Sequence, residues 1–456
     1  MKYGFNLQSL INETEDTVFN KEDNLSYEQE ERLKAQIKQI DEEISSLEEM
    51  RLKLGRLLDY NAVKNDGFSV EDIRAFAAED EEYVEKINEL YDKNLYMRDY
   101  MFGYPVNMQD YSYTSQYCRN LESRLYLMNN CGDPYQLGNY GMDGKEIEKQ
   151  IVDTFAKIFG LTNDKYWGYI TTGGTESNFW ALREGYCKFP NGKFYYSEDA
   201  HYSVDKFLSS SVSKFCCQKI DTDGQGAIDV EKLKSAILED KTSKDNGVII
   251  ILTWGTTCRG NVDDVKAITE FLLSEGIPYY CHLDAAHYGG IPQNQKSAPT
   301  LKNVVDLNVD SVSVSLHKYI GTARVNGVLL SLSRSRRNYV DYIGQEDSTF
   351  LGSRDYMPFS TLQRTREILH RTPPETYILN VEFFENELKV FGVSFERVAD
   401  GNIFILDKPS DEICKKYQLA SFKDTAGNDK CHVIIYPFHK RDIMKQLAEE
   451  LAKSEK

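Results

Sequence analysis

What this 456-residue chain lacks narrows its reading first. No segment approaches the ~20 consecutive apolar residues of a membrane-spanning helix, and the opening MKYGFNLQSLINETED has no apolar core of a secretory signal; no membrane partner and a cytoplasmic location are expected. The nine cysteines are odd in number and none falls in a C-x-x-C pair, so neither a zinc ribbon nor a disulfide framework is indicated, no metal is expected, and the thiols read as reduced. Long Lys/Arg blocks are missing from a chain of formal net charge −18, which argues against nucleic acid as a partner. A small substrate remains open, since an acidic shell can surround a locally cationic pocket. There is no internal repeat and no low-complexity linker. What is present is an ordinary globular composition, 41% hydrophobic and 28% charged, in a chain long enough for two or three lobes.

Between residues 27 and 60, Leu33, Ile37, Ile40, Ile44, Leu47, Leu54 and Leu58 follow 4-3 spacing, broken only at Arg51. This predicts a long amphipathic helix, an arm packed on the body or on a second subunit. From about residue 145 the texture changes. A helix carrying Ile147, Ile151, Val152, Phe155 and Phe159 leads into short apolar runs that alternate with helical stretches: GYITT, KFYYSED, GVIIILTWGTT, PYYCHLDAA, SVSVSLHK and GVLLSLS. Continuous apolar strands alternating with helices predict an α/β fold with a largely parallel sheet. After HRTPPE (370–375) the order helix, NIFILDK, helix, CHVIIYP, helix predicts a smaller α+β lobe.

Four strand ends carry chemistry. TTGGTESN (171–178) sets Gly173 and Gly174 between a strand and a helix, where free backbone N–H groups approach an anion and Thr172 and Thr175 add hydroxyls. It lacks the P-loop lysine and the G-x-G-x-x-G spacing, so neither a nucleoside triphosphate nor a dinucleotide is favoured; a plain tight turn is the competing reading. His201 follows the strand of YYSEDA. Asp284 ends the strand of HLDAAHYGG, where a carboxylate is expensive unless it meets a cation; a helix cap is the competing reading. Ala285 and Ala286 are small enough to let a flat ligand lie close. Lys318 stands behind Ser315 and His317 at the end of SVSVSLHK, a poor place for an ammonium. The remaining histidines, 282, 287, 370, 432 and 439, are taken as structural.

In an open parallel sheet, ligands collect outside the carboxyl ends of the strands. An anion cradle, a histidine, an aspartate and a lysine at successive strand ends match a phosphate, an aromatic ring, a protonated ring nitrogen and an aldehyde. Pyridoxal 5′-phosphate joins all four. A lysine forms its Schiff base, and an aspartate keeps its pyridine nitrogen protonated so that the ring acts as an electron sink.

Further stretches then carry a family resemblance: FGYPVN (102–107), CGDPYQLGNYG (131–141), GYITTGGTESN, YYSEDAHYSVDK, WGTTCRGNVDD, HLDAAHYGG, SVSLHKYIG and FLGSRD, eight pieces in order at suitable spacings. From about residue 101 onward the chain resembles the pyridoxal-phosphate-dependent group II amino-acid decarboxylases, within the fold type shared with aspartate aminotransferase (fold type I). The nearest branch is that of histidine decarboxylases and plant serine decarboxylases. The resemblance implies a mostly parallel seven-stranded sheet between helices. It divides the chain into a helical arm (1–100), a cofactor domain (101–365) and a small α+β domain (366–456). By the same resemblance His201 stacks on the cofactor ring, Asp284 pairs with the pyridine nitrogen, Ala286 packs on the opposite face and Lys318 is the covalent anchor. Thr172, Gly173, Gly174, Thr175, Ser315 and His317 surround the phosphate, with Thr256 near the cofactor. The segment Gly352 to Arg354, and Ser353 in particular, reaches the phosphate region from the neighbouring subunit. Tyr342 is a catalytic-loop residue that protonates the substrate carbon after carbon dioxide leaves. Tyr104, Pro105, Asn107 and Arg324 lie on the substrate side. The implied protein is a cytoplasmic homodimer with shared active sites.

Departures fall on the substrate side. GTARVNG follows Lys318 where relatives carry something like GSPMPCG, so Arg324 brings a cation and Asn326 replaces a cysteine; LGNYG stands where ESNYG is usual. The activity expected is decarboxylation of a free L-amino acid, histidine for preference, with serine, aspartate or an aromatic amino acid as alternatives. A pyridoxal-phosphate lyase or transferase acting on a modified amino acid is kept open by Arg324. A non-catalytic dimer using the fold for binding is disfavoured by the intact Lys318, Asp284 and His201.

Overall fold

Strands that are apolar along their whole length must be covered on both faces, and the central sheet satisfies this with helices. The computed structural model describes residues 27–454 apart from 66–69, 124–127, 162–165, 212–215, 292–303, 333–337, 355, 372–373 and 399. Two compact units are formed, residues 1–94 and 95–456. Within the first, the expected helix runs over Tyr27–Asn65 and a second begins at Val70. Ile44, Leu47 and Leu54 of the apolar seam are exposed, as are Tyr83, Ile87, Leu90 and Tyr91 of the second helix.

In the second unit, seven strands form one sheet in the order β1-β7-β6-β5-β4-β2-β3. They are β1 (Trp167–Thr171), β2 (Lys193–Ser197), β3 (Cys217–Ile220), β4 (Val248–Thr253), β5 (Tyr279–Asp284), β6 (Ser311–Ser315) and β7 (Gly327–Ser331). The pairs β2–β3, β2–β4, β4–β5 and β5–β6 are parallel, and β7 alone runs antiparallel to both its neighbours, β6 and β1. The sheet is thus mostly parallel, as the apolar runs predict. β4, VIIILT, is buried at all six positions, as a strand covered on both faces must be. The helix Lys145–Ile158 buries Ile151, Val152 and Phe155 of the stripe read from the sequence, with Ala156 beside them.

Register puts the chemistry in one row. Thr171 pairs with Gly327, and Gly327 with Ser315. Thr253 pairs with Asp284, and Asp284 with Ser313. The carboxyl ends of β1, β4, β5 and β6 therefore lie level at one edge of the sheet. A hairpin, β8 (Asn338–Val340) with β9 (Gln345–Asp347), carries Tyr342 in its turn. The C-terminal segment forms a separate antiparallel sheet of β10 (Glu396–Arg397), β11 (Ile403–Asp407), β12 (Ala420–Lys423) and β13 (Asp429–Ile434). The helices Pro374–Phe391 and Arg441–Ser454 pack on each other beside it. Among the described residues, no helix is long and apolar enough to cross a membrane, and no group of His, Cys, Asp or Glu is placed to hold a metal ion.

Candidate active site

The level strand ends open into one cleft of ≈ 220 Å³. From the β1 end come Thr172, Gly173, Gly174 and Thr175; from β2, His201; from β5, Asp284 and Ala286; from β6, Ser315, His317 and Lys318. Residues far apart in sequence thus converge because a parallel sheet delivers every strand's end to the same edge.

At the β1 end, Gly173 adopts φ +126°, a conformation that favours glycine, and turns the chain into the helix Gly174–Lys188. The first N–H groups of that helix have no intrahelical acceptor and face an anion with the positive helix end behind them. The floor is tight: a Cβ on Gly174 would stand 2.8 Å from Ser315 Oγ and 3.5 Å from Ala286 Cβ. Thr172 has other duties, because its N–H and its hydroxyl both donate to Glu176 Oε2, at 2.7 and 2.8 Å, and Tyr169 OH donates to Glu176 Oε1 at 2.9 Å. The buried Glu176 carboxylate ties the loop to β1 and leaves Ser315 and Thr175 as the uncommitted hydroxyls of the cradle.

Asp284 is 4% exposed and accepts on both oxygens, from Ala286 N at 3.1 Å and from Asn178 Nδ2 at 2.7 Å. Lys318 Nζ sits where desolvation lowers its pKa while the Asp284 charge opposes that shift, so the amine is eased toward its neutral, nucleophilic form. His201 is lowered by burial, with Asp284 acting in the opposite sense and Lys318 adding to the shift. His317 is lowered by burial as well; its Nδ1 bonds to the Asn326 carbonyl at 2.9 Å. Asn326 is fully buried. It donates to Thr361 Oγ1 at 3.2 Å and accepts from Thr322 Oγ1 at 2.7 Å, pinning the turn behind Lys318.

A flat aromatic ligand bearing a phosphate, an aldehyde and a basic ring nitrogen fits this donor set. The helix N-terminus and hydroxyls take an anion, the eased amine takes a carbonyl, and the buried carboxylate takes a cationic N–H.

Other expected residues lie elsewhere. Thr256 is fully buried and turned away, its hydroxyl accepting from Asn261 N at 3.0 Å; Thr253, Gly255 and Thr257 line the cleft in its place. Asn107 supports Lys318 from behind, with its N–H donating to Lys318 O at 2.8 Å and its Nδ2 to Tyr319 O at 2.7 Å. Tyr104 is half exposed and Pro105 partly buried, neither lining the cleft. Val325 lines the cleft, whereas its exposed neighbour Arg324 does not. Tyr342 is 83% exposed, and Ser353 is exposed and bonded to Asn129 Nδ2 at 3.1 Å. Arg354 folds into its own chain, 3.3 Å from the buried Glu148 carboxylate. Sequence reading missed Asn178, which lines the cleft, and Ser203 and His282, which bond to it from behind. The available signal was Asn178's place one helical turn after Gly174 in TTGGTESN.

The sequence profile described as the pyridoxal-dependent decarboxylase conserved domain matches residues 190–347. A histidine decarboxylase of Pseudomonas entomophila (strain L48) is 32% identical over 366 residues, 77% of this chain and 85% of that protein. Serine decarboxylase 3 of Oryza sativa subsp. japonica is 31% identical over 364 residues, 77% of this chain and 78% of its own. Among solved structures, L-methionine decarboxylase from Streptomyces sp. 590 superposes with a TM-score of 0.69 at 22% identity, covering 85% of this chain and 96% of that one. A sphingosine-1-phosphate lyase of Burkholderia pseudomallei shares the fold at a TM-score of 0.64 and 12% identity, covering 82% and 90%.

Proposed function

The chain belongs to the pyridoxal-dependent amino-acid decarboxylases, carboxy-lyases that work with pyridoxal 5′-phosphate, and on that premise we propose that its substrate is L-histidine, released as histamine and carbon dioxide. The observation that carries the substrate is the match to a bacterial histidine decarboxylase along most of that protein's length. Tyr202 supports it: its ring lines the cleft with its centroid 4.4 Å from that of His201, an aromatic wall that an imidazole can use and a hydroxymethyl group cannot. Serine is the second reading, because the rice serine decarboxylases are nearly as similar. The exposed Arg324 beside the cleft-lining Val325 keeps an acidic or modified amino acid as a third.

The bound cofactor supplies an electron sink for the pair released when the Cα–carboxylate bond breaks. The chain's own residues do the rest. Gly173, Gly174, Thr175, Ser315 and His317 hold the phosphate, with Thr172 fixing the loop through Glu176. Lys318, eased toward its neutral amine, would hold the aldehyde carbon, taking up a proton at Nζ when the substrate amine displaces it. Asp284 accepts from the ring nitrogen, and His201 and Ala286 enclose the ring. Tyr342 delivers the proton that replaces carbon dioxide at Cα. Because Tyr342 and Ser353 lie outside the cleft of their own chain, we take the active protein to be a homodimer in which each completes the neighbour's site. Incubating the holoenzyme with each common L-amino acid and measuring amine and carbon dioxide tests the substrate. Histamine should form fastest, and faster ethanolamine from serine would replace histidine as the substrate.

A further inference from the structure

We propose that Asn178 is the positioning residue of this site, fixing the acceptor geometry of Asp284 and, through Ser203, the tautomer of His201, so that His201 meets the bound ligand with Nε2–H. The inference deepens the functional reading above and rests on its assignment of Asp284 and His201 to the cofactor.

Asn178 is 1% exposed, and three of its four side-chain hydrogen-bonding positions have a partner, both amide hydrogens and one lone pair of the oxygen. Only the NH2 end of an amide can face a carboxylate, so the 2.7 Å contact with Asp284 Oδ2 orients the group. The second amide hydrogen then goes to Ser203 Oγ at 3.0 Å, which makes that oxygen an acceptor there and leaves its own proton to be given elsewhere. It is given to His201 Nδ1 at 2.8 Å, and Ser203 N–H donates to the same nitrogen at 3.3 Å. A ring nitrogen that accepts twice carries no proton. In neutral His201 the proton therefore sits on Nε2.

The oxygen end of Asn178 lies 3.1 Å from His282 Nε2, which must donate to it. Ser313 Oγ is a second, longer neighbour of that nitrogen at 3.4 Å. His282 Nδ1 is then an acceptor for Ser311 Oγ–H at 2.8 Å, and Tyr280 OH lies 2.9 Å from the same serine oxygen as its donor. The chain Tyr280, Ser311, His282, Asn178, Asp284 thus points every hydrogen toward the carboxylate. Donors aligned in one sense polarise one another, and a buried carboxylate at their end is held in place as an acceptor. Burial keeps His282 neutral, lowering it to about 4, as a one-way relay of this kind requires. A bland packing role does not explain why one amide joins the two groups that flank the cofactor ring.

The test uses protein labelled with 15N-histidine, in which His201 is identified among the seven histidines by His201→Gln. In the wild-type holoenzyme the ring shifts should report Nδ1 as the bare nitrogen and Nε2 as the protonated one. Asn178→Leu should give a mixture of tautomers at His201. Ser203→Ala, a milder change that leaves only the longer N–H contact, should do so too while preserving the Asp284 arm. Losing a hydrogen bond to a charged group weakens binding by about tenfold or more. The pyridoxal-phosphate dissociation constant, read from the visible band, should therefore rise by that factor in Asn178→Leu and stay within about threefold in Ser203→Ala. A protonated Nδ1 in wild type, or an unaltered tautomer in both variants, overturns the proposal. So does unchanged cofactor affinity in Asn178→Leu. If instead Asp284→Asn binds the cofactor as wild type does, the reading of the cofactor site falls, whereas the His201 tautomer, measured also without cofactor, still decides the Asn178 network.

Discussion

Acid should destabilise this protein well above the pH at which ordinary carboxylates titrate, and buried histidines are the reason. Burial lowers His282 to about 4, His287 to about 3 and His439 to about 4, against 6.5 in an unfolded chain. At pH 5 each is neutral when folded and protonated when unfolded, so the unfolded state binds three more protons. Asp263 works the other way. Its buried carboxyl is raised from 3.8 to about 6, so at pH 5 the folded state holds a proton that the unfolded state has lost. The net excess in the unfolded state is about two protons, and stability should fall by about 2.7 kcal/mol for each pH unit below ~6. His201, His317 and His432 are shifted in the histidine sense and steepen the slope, while Asp199, also raised, opposes it. Above pH ~6.5 the histidine contribution is complete, and it is lost as pH falls toward the folded values. Net stabilities of domains are only about 5–15 kcal/mol, so loss over one and a half pH units is easily measured. The assay is urea unfolding of the holoenzyme at pH 7.5, 6.5, 5.5 and 5.0. His287 donates through Nε2 to Asn402 Oδ1 at 2.9 Å, a contact that glutamine can imitate. His287→Gln should therefore reduce the slope by about 1.4 kcal/mol per pH unit. Equal stability from pH 6.5 to 5.0, or a slope untouched by His287→Gln, would refute the reasoning.

Lys318→Ala should fold normally yet lose the visible cofactor band and essentially all amine production, and turnover with an intact band would make Lys318 structural. Arg354→Met should lower stability by about 3–5 kcal/mol by leaving the buried Glu148 charge without its partner. The double variant with Glu148→Gln should recover part of the loss in a thermal melt, and additivity of the two single effects would argue against the pair. Tyr342→Phe should leave cofactor affinity unchanged while slowing protonation at Cα, seen as fewer amines per carbon dioxide released. Mixing Lys318→Ala chains with Tyr342→Phe chains should restore partial activity through one intact site per heterodimer, and proven heterodimers without activity would rule out shared sites.

The identities of the reactive groups were legible in the sequence because each announces itself locally. Paired glycines between a strand and a helix, an aspartate closing VIIILT's neighbour YYCHLD, and a lysine after SVSVS are each expensive unless a ligand answers them. A parallel sheet then sends all of their strand ends to one edge, so fold class and cofactor followed together. Side-chain direction was not legible. Whether Thr256 or Thr257 faces the cleft depends on the turn around Gly255, at φ +103°, and whether Arg354 faces outward or meets Glu148 depends on a helix some 200 positions away in sequence. Nor could sequence alone tell that His282 is more than a core histidine. On β5 it points to the opposite face of the strand from Leu283, and only the packing of the helix Gly174–Lys188 against that face brings the Asn178 amide within 3.1 Å of its ring. Local chemistry fixes which groups a site contains. Their orientation and proton positions are set by neighbours that only the folded chain assembles.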